Sequence, residues 1–223
     1  MGKLIVFEGI DGSGKSTQFR LMCKRLEAEG RDFRRIQFPR YDEPSSALIK
    51  MYLSGDFGKD PDAINAYAAS SFYAVDRFAS FVTDWQSYYE SGGLILTDRY
   101  TTSNALHQGA KMPFGKRKDF FEWLYDHEFD RFGLPRPDMV LFMSIDASLA
   151  ADRLRSRETE TGTDADIHES NLAYLSACAE SGNEAALQYG WAVIECSRDK
   201  AGRSESDIHN EVYERLTPLL QTI

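Results

Sequence analysis

Residues 9–16 read Gly-Ile-Asp-Gly-Ser-Gly-Lys-Ser, and they fit the phosphate-binding loop pattern G-x-x-x-x-G-K-[ST] at every fixed position. The pattern constrains the fold because it works only between a strand and a helix. Both flanks are legible. Leu4–Glu8 is an apolar run that reads as a buried strand, and Phe19, Met22, Cys23 and Leu26 recur at i, i+3, i+4, i+7 as on a helix. Glycines let backbone N–H groups crowd round an anion, and the helix that follows points its positive end at it. Gly9, Asp11, Gly12, Ser13, Gly14, Lys15, Ser16 and Thr17 are therefore the expected triphosphate contacts. Lys15 reaches the β- and γ-phosphates in such a loop, and the Ser16 hydroxyl binds Mg²⁺.

The rest of the chain continues the rhythm. Strand-like runs at Phe33–Phe38, Leu94–Thr97, Met139–Ile145 and Trp191–Cys196 alternate with helical patterns. That order predicts an α/β fold: three layers, a parallel five-stranded sheet flanked by helices on both faces. No repeat, linker or composition break divides residues 1–223, so one domain is expected. The polar, charged stretch 155–167 is a candidate mobile lid. A net charge of −9 argues against a nucleic-acid partner. No apolar run approaches a membrane span, and the glycine loop follows the first residues too soon for a signal peptide. Cys23, Cys178 and Cys196 are scattered without metal-ligand spacing, as suits a cytoplasmic protein.

Two further strands end in charged side chains, at the rim where open α/β sheets bind ligands. One ends in Asp98-Arg99-Tyr100, the other in Phe38-Pro39-Arg40-Tyr41. Asp98 is placed as a carboxylate near the metal or its waters. Arg40, Tyr41 and Arg99 form a second cationic cluster, suited to a second phosphate-bearing ligand or to a plain surface. Between them an unbroken helix is expected from Asp62 to Tyr89. Its core stripe would comprise Ile64, Tyr67, Ala68, Val75, Phe78, Val82, Trp85 and Tyr89, with Tyr73 and Arg77 on the opposite face. A stripe of that length packs in the core or partly on a second copy of the chain.

With Phe7–Gln18, Phe38–Tyr41, Asp76-Arg77 and Asp98–Tyr100 with Ser103-Asn104 in this order, the first half of the chain resembles the thymidylate kinases. The second half resembles them mainly in layout. The resemblance implies transfer of the ATP γ-phosphoryl group to dTMP, Mg²⁺ as cofactor, and a homodimer. It implies that Asp11 takes the 3′-hydroxyl of the monophosphate and helps organise the metal. Arg40, Tyr41 and Arg99 would hold the acceptor phosphate, Tyr73 would stack on thymine, Arg77 would donate to its O4, and Asn104 would read the other base edge. His107 stands where some relatives carry a tyrosine that helps exclude a 2′-hydroxyl. One branch of the family has a catalytic arginine directly after the loop aspartate, where this chain has Gly12. The other branch takes it from the lid, which here offers Arg153, Arg155 and Arg157, with Arg157 first. The segment after Cys196, including Arg198, is the expected adenine side. The alternatives are a kinase for another deoxynucleotide or deoxynucleoside, and a nucleotide-binding regulator without turnover. No guanine-reading N-K-x-D sequence favours a GTP switch.

Overall fold

A computed structural model describes residues 1–58, 60, 63–161, 172–198 and 201–222; side chains 157–161 fall outside it. Five strands form one parallel sheet: β1 (Lys3–Glu8), β2 (Arg34–Gln37), β3 (Leu94–Asp98), β4 (Met139–Ser144) and β5 (Ala192–Glu195), in the order β2-β3-β1-β4-β5. Leu4, Ile5, Val6 and Phe7 of the central β1 are all fully buried. Successive side chains point to opposite faces, so helices must cover both sides of the sheet. Burying each such side chain contributes about 1.5–3 kcal/mol, and the central strand is the best anchored. Register sets Phe7 beside Asp98, and Gln37 beside Asp98 from the other side. The carboxyl ends of β1, β2 and β3 therefore share one rim.

The helices are α1 (Lys15–Ala28), α2 (Ala47–Leu53), α3 (Ala66–Ser80), α4 (Gln86–Glu90), α5 (Thr101–His107), α6 (Arg117–Tyr125), α7 (Ala147–Thr161), α8 (Leu172–Tyr189) and α9 (Glu205–Leu220). A short antiparallel pair, β6 (Ser197–Arg198) and β7 (Ala201–Gly202), follows β5 and has no periodicity long enough to be read from sequence. The stretch expected to be a loop from residue 155 is helical as far as Thr161. The remainder of that candidate lid, 162–167, lies outside the described residues.

The long helix differs most from expectation. It starts at Ala66, where Asn65 Oδ1 caps the Ala68 N–H at 2.9 Å, and it is interrupted by a π-helical segment, Phe81–Trp85, before α4. Of the expected core stripe only Trp85 and Tyr89 are buried; Val75, Phe78 and Val82 are 45%, 42% and 50% exposed. The inward face is instead small and polar: Ala69, Ser70, Ala74, Asp76, Arg77 and Ser80. Small residues admit close approach of neighbouring elements; Arg77 faces a cleft, while Asp76 holds Arg40 and Ser45. Hydrophobic periodicity located a mixed face: Trp85 and Tyr89 are buried, Tyr67 and Phe78 pack partly on Phe120, Trp123 and Phe132, and Val75 and Val82 are about half exposed.

Candidate active site

The loop's geometry follows from its glycines. Gly12 has φ +79°, and a Cβ there would lie 2.4 Å from the Ala150 carbonyl oxygen of α7. Any side chain at residue 12 would collide with backbone, an arginine included. Lys15 is buried, with Nζ 3.4 Å from Asp98 Oδ1. That oxygen is itself buried and, among the described residues, receives no hydrogen bond. Ser16 is exposed at the first turn of α1. Arg153 reaches from α7 over the loop, and its Nη1 donates to the Gly12 and Ser13 carbonyls at 3.4 Å each. A cavity of about 1080 Å³, open to solvent, is lined by Ile10–Gln18, Arg153, Leu154, Arg203, Glu205 and Ile208.

A second cleft of about 740 Å³, also solvent-open, lies at the ends of β2 and β3. Asp11, Tyr41, Tyr73, Arg77, Arg99, Asn104 and His107 all line it. Thus seven of the eight expected acceptor residues converge, from the loop, β3, α3, α5 and the segment after β2. Arg40 does not line the cleft. Its backbone N–H donates to Asp76 Oδ2 (2.9 Å), and its side chain lies against Asp76 and Ser45. Arg77 is 1% exposed, which excludes a solvated surface pair with Tyr73. Its Nε and Nη2 both donate to Glu128 at 2.6 Å.

Arg99 sits at the junction. Its φ is +69°, a left-handed conformation rare outside glycine and typical of residues whose placement matters more than local strain. Its Nη2 donates to Asp11 and its Nη1 to His107 Nε2 at 3.0 Å. Burial opposes charge on Asp11, but Arg99, His107 and Lys15 outweigh it and hold the carboxyl below the ordinary carboxylate range. Glu8 is the opposite case. Burial raises its pKa in spite of Arg99 and Lys15, and it accepts hydrogen bonds from Gly9 N–H, Thr102 and Ser103 at 2.9, 2.7 and 2.8 Å. Among the described residues Asp11 is common to both cavities. The glycine loop and the cleft that holds Arg99 and Arg77 thus meet at one carboxylate.

A sequence profile described as thymidylate kinase matches residues 7–211. The chain belongs to the thymidylate kinase family. It is similar to thymidylate kinase from Mycobacterium tuberculosis (31% identical over 190 residues, 84% of this chain and 87% of that one). It is also similar to a probable thymidylate kinase from Methanococcus maripaludis (27% over 222 residues, 99% and 100%). The solved thymidylate kinase of Candida albicans superposes with a TM-score of 0.72 over 97% of this chain and 92% of that one, at 21% identity, a likeness of fold.

Several expected residues stand elsewhere. Arg198 lines a separate surface groove with Asn210, Glu214 and Arg215, because β6 carries it to the outer side of the hairpin. Arg203, just past β7, lines both that groove and the loop cavity and is braced by Glu195 O and Glu211, both at 2.6 Å. Arg155 is exposed and ion-paired with Asp152 at 2.6 Å. The Arg157 side chain lies outside the described residues. Gly9 supports the loop from below without lining its cavity; a Cβ there would meet Ser13 Oγ at 2.6 Å. Sequence reasoning missed Tyr174, Gln108 and Leu53, which line the cleft, and the buried carboxylates Glu8 and Glu128. Glu8 lies within the Phe7–Gln18 match but no role was read for it; the other four lie outside the motifs. Asp76 was recognised beside Arg77, but nothing local tells that it holds Arg40.

Proposed function

We propose that this chain transfers the γ-phosphoryl group of ATP to the 5′-phosphate of dTMP, giving ADP and dTDP. The observation that carries this reading is the meeting of the loop cavity and the acceptor cleft at Asp11, which Arg99 holds from the cleft side. An acceptor phosphate oxygen attacks the γ-phosphorus in line as its bond to the ADP oxygen breaks, with no covalent enzyme intermediate. The transition state is loose, so catalysis consists of positioning two polyanions and neutralising developing charge. Lys15 takes the donor phosphates. Arg99 and Tyr41 take the acceptor phosphate, with Arg40 beside them on Asp76. Asp11 is assigned the 3′-hydroxyl, Tyr73 the stacking face, Arg77 the thymine O4 and Asn104 the adjoining base edge, with His107 packed against Arg99.

Arg153, already standing on the loop, is assigned the arginine's part in charge neutralisation ahead of Arg157. Helix α7 leads from it into the candidate lid over 155–167. The site's residues suit Mg²⁺: Ser16 offers a hydroxyl, Asp98 a buried oxygen that is ion-paired with Lys15 but among the described residues accepts no hydrogen bond, and Asp11 a nearby carboxylate. Mg²⁺ takes few protein ligands alongside substrate phosphates, and when bound it supplies charge neutralisation. Val75 and Phe78 of α3 and Val82 of the π-helical segment after it give an outward apolar face that a second copy would cover, which supports a homodimer. Sedimentation at micromolar concentration tests this. The free, buried cysteines suit a reducing, cytoplasmic setting, and no described helix is long and apolar enough to cross a membrane. The deciding experiment for function supplies purified protein with Mg²⁺, ATP and dTMP. Formation of dTDP is expected; ATP binding without turnover on any acceptor would favour a regulator.

A further inference from the structure

Glu128 belongs to a π-helical segment, Asp126–Arg131, that follows α6. Such segments re-aim side chains that a regular helix would carry past the site. Glu128 is fully buried while its neighbours Asp130 and Arg131 are exposed. Its Oε2 accepts from Arg77 Nε (2.6 Å) and from Thr101 Oγ1 (2.8 Å). Its Oε1 accepts from Arg77 Nη2 (2.6 Å) and from Asn104 Nδ2 (3.3 Å). Burying an ion pair this completely is weak as a source of stability, because desolvation offsets the attraction. What the pair supplies is direction.

The direction is fixed by which groups can only donate and which can only accept. A guanidinium has donors alone. With Nε and Nη2 turned to Glu128, and Nη1 donating to the Tyr100 carbonyl at 3.3 Å, Arg77 can offer the cleft nothing but N–H. Asn104 has an ambiguous amide, but its surroundings remove the ambiguity. The Ser70 carbonyl (3.2 Å) and the Glu128 carboxylate both accept, so both claim the NH₂ group. The amide oxygen is left as the group Asn104 can offer to a ligand.

We propose that Glu128 is a positioning residue that sets the polarity of the base-reading edge, turning Arg77 and Asn104 so that the cleft presents a donor beside an acceptor. This rests on the acceptor-cleft reading above and deepens it. A donor beside an acceptor complements the O4 and N3–H of a 4-oxo pyrimidine. A 4-amino pyrimidine presents N–H₂ and a bare N3, the reverse order, and leaves buried polar groups of the protein unpaired. Glu128 thus selects the base without touching it.

The test is Glu128→Gln, assayed with dTMP and dCMP on folded, intact protein. The glutamine carries one acceptor oxygen where the carboxylate has two, too few for Arg77 and Asn104 together. The ratio of kcat/KM for dTMP over dCMP is expected to fall about tenfold, with KM for dTMP rising more than kcat falls. An unchanged ratio overturns the proposal, even if both rates drop, since a purely structural role would slow both acceptors alike. If unsubstituted protein makes no dTDP, the acceptor reading itself fails. Should Glu128→Gln not fold, NMR of the unsubstituted protein with dTMP decides. Asn104 side-chain N–H signals are expected to show contacts with Ser70; contacts with the base instead would overturn the assignment.

Discussion

The two halves of the site are built on different principles. The phosphate loop is eight consecutive residues whose backbone does the binding, with steric demands met by glycine and by the close α7 backbone behind Gly12. The acceptor cleft has no such continuity. It is assembled from side chains on separate elements, and three buried carboxylates hold it in shape. Glu8 ties the loop to α5, Asp76 ties Arg40 and Ser45 to α3, and Glu128 ties Arg77 to Thr101 and Asn104. A loop fixed by backbone is tolerant of its neighbours. A cleft fixed by shared carboxylates should be sensitive to residues that never meet the ligand.

Substitutions can break this contrast. The largest effect is expected from Lys15→Met, which should lower kcat about 10³-fold or more while leaving dTMP affinity, measured by calorimetry, within about threefold. Equal losses in both would mean that donor and acceptor sites are not separable. Arg153→Ala should follow, with kcat about 10²-fold lower or more and little change in KM for dTMP; a larger loss in Arg157→Ala would move the assignment further into the lid. Asp76→Asn should act on the other half, raising KM for dTMP about tenfold with a smaller change in kcat, because Arg40 loses its anionic brace.

The smallest effect is a matter of pH. Glu8 has a raised pKa in the folded chain, so its contribution to stability is whole below its ordinary value of 4.5 and is lost as pH rises through the folded value. Glu8→Gln can keep its oxygen for the Gly9 N–H and donate its NH₂ to the Thr102 and Ser103 hydroxyls, and it does not titrate. Its Tm advantage over the unsubstituted protein should grow from pH 4.5 upward. Asp11→Asn should behave in the opposite sense. Asp11 has a depressed pKa, so its contribution is present above the usual carboxylate range and fades as pH falls. Parallel Tm profiles for the two variants would refute the opposed environments.

The same contrast explains what was legible in the amino-acid sequence. All five sheet strands were readable within a residue or two; β1, β3 and β4 are short apolar runs between helical patterns, whereas the edge strand β2 is mostly exposed. The loop was readable because its chemistry is local. Arg99, Tyr73, Arg77 and Asn104 were found through their neighbours in motifs. Their supports were not, since nothing near Glu128 in sequence records that it lies 2.6 Å from Arg77, 51 residues away. The inward face of α3 was misread for a related reason: its apolar residues face outward, while alanine, serine and a charged pair face in. Arg203 was not singled out beside Arg198, because the two-residue strands β6 and β7 pair antiparallel without leaving a pattern in the sequence.

The central claim is that the second cleft receives a phosphate, not merely a nucleoside. It is tested most directly by kcat/KM for dTMP against thymidine, with Mg·ATP held saturating. A charge-assisted phosphate clamp at Arg99 should give dTMP a preference of about 10²-fold or more. Equal values for the two acceptors would contradict it.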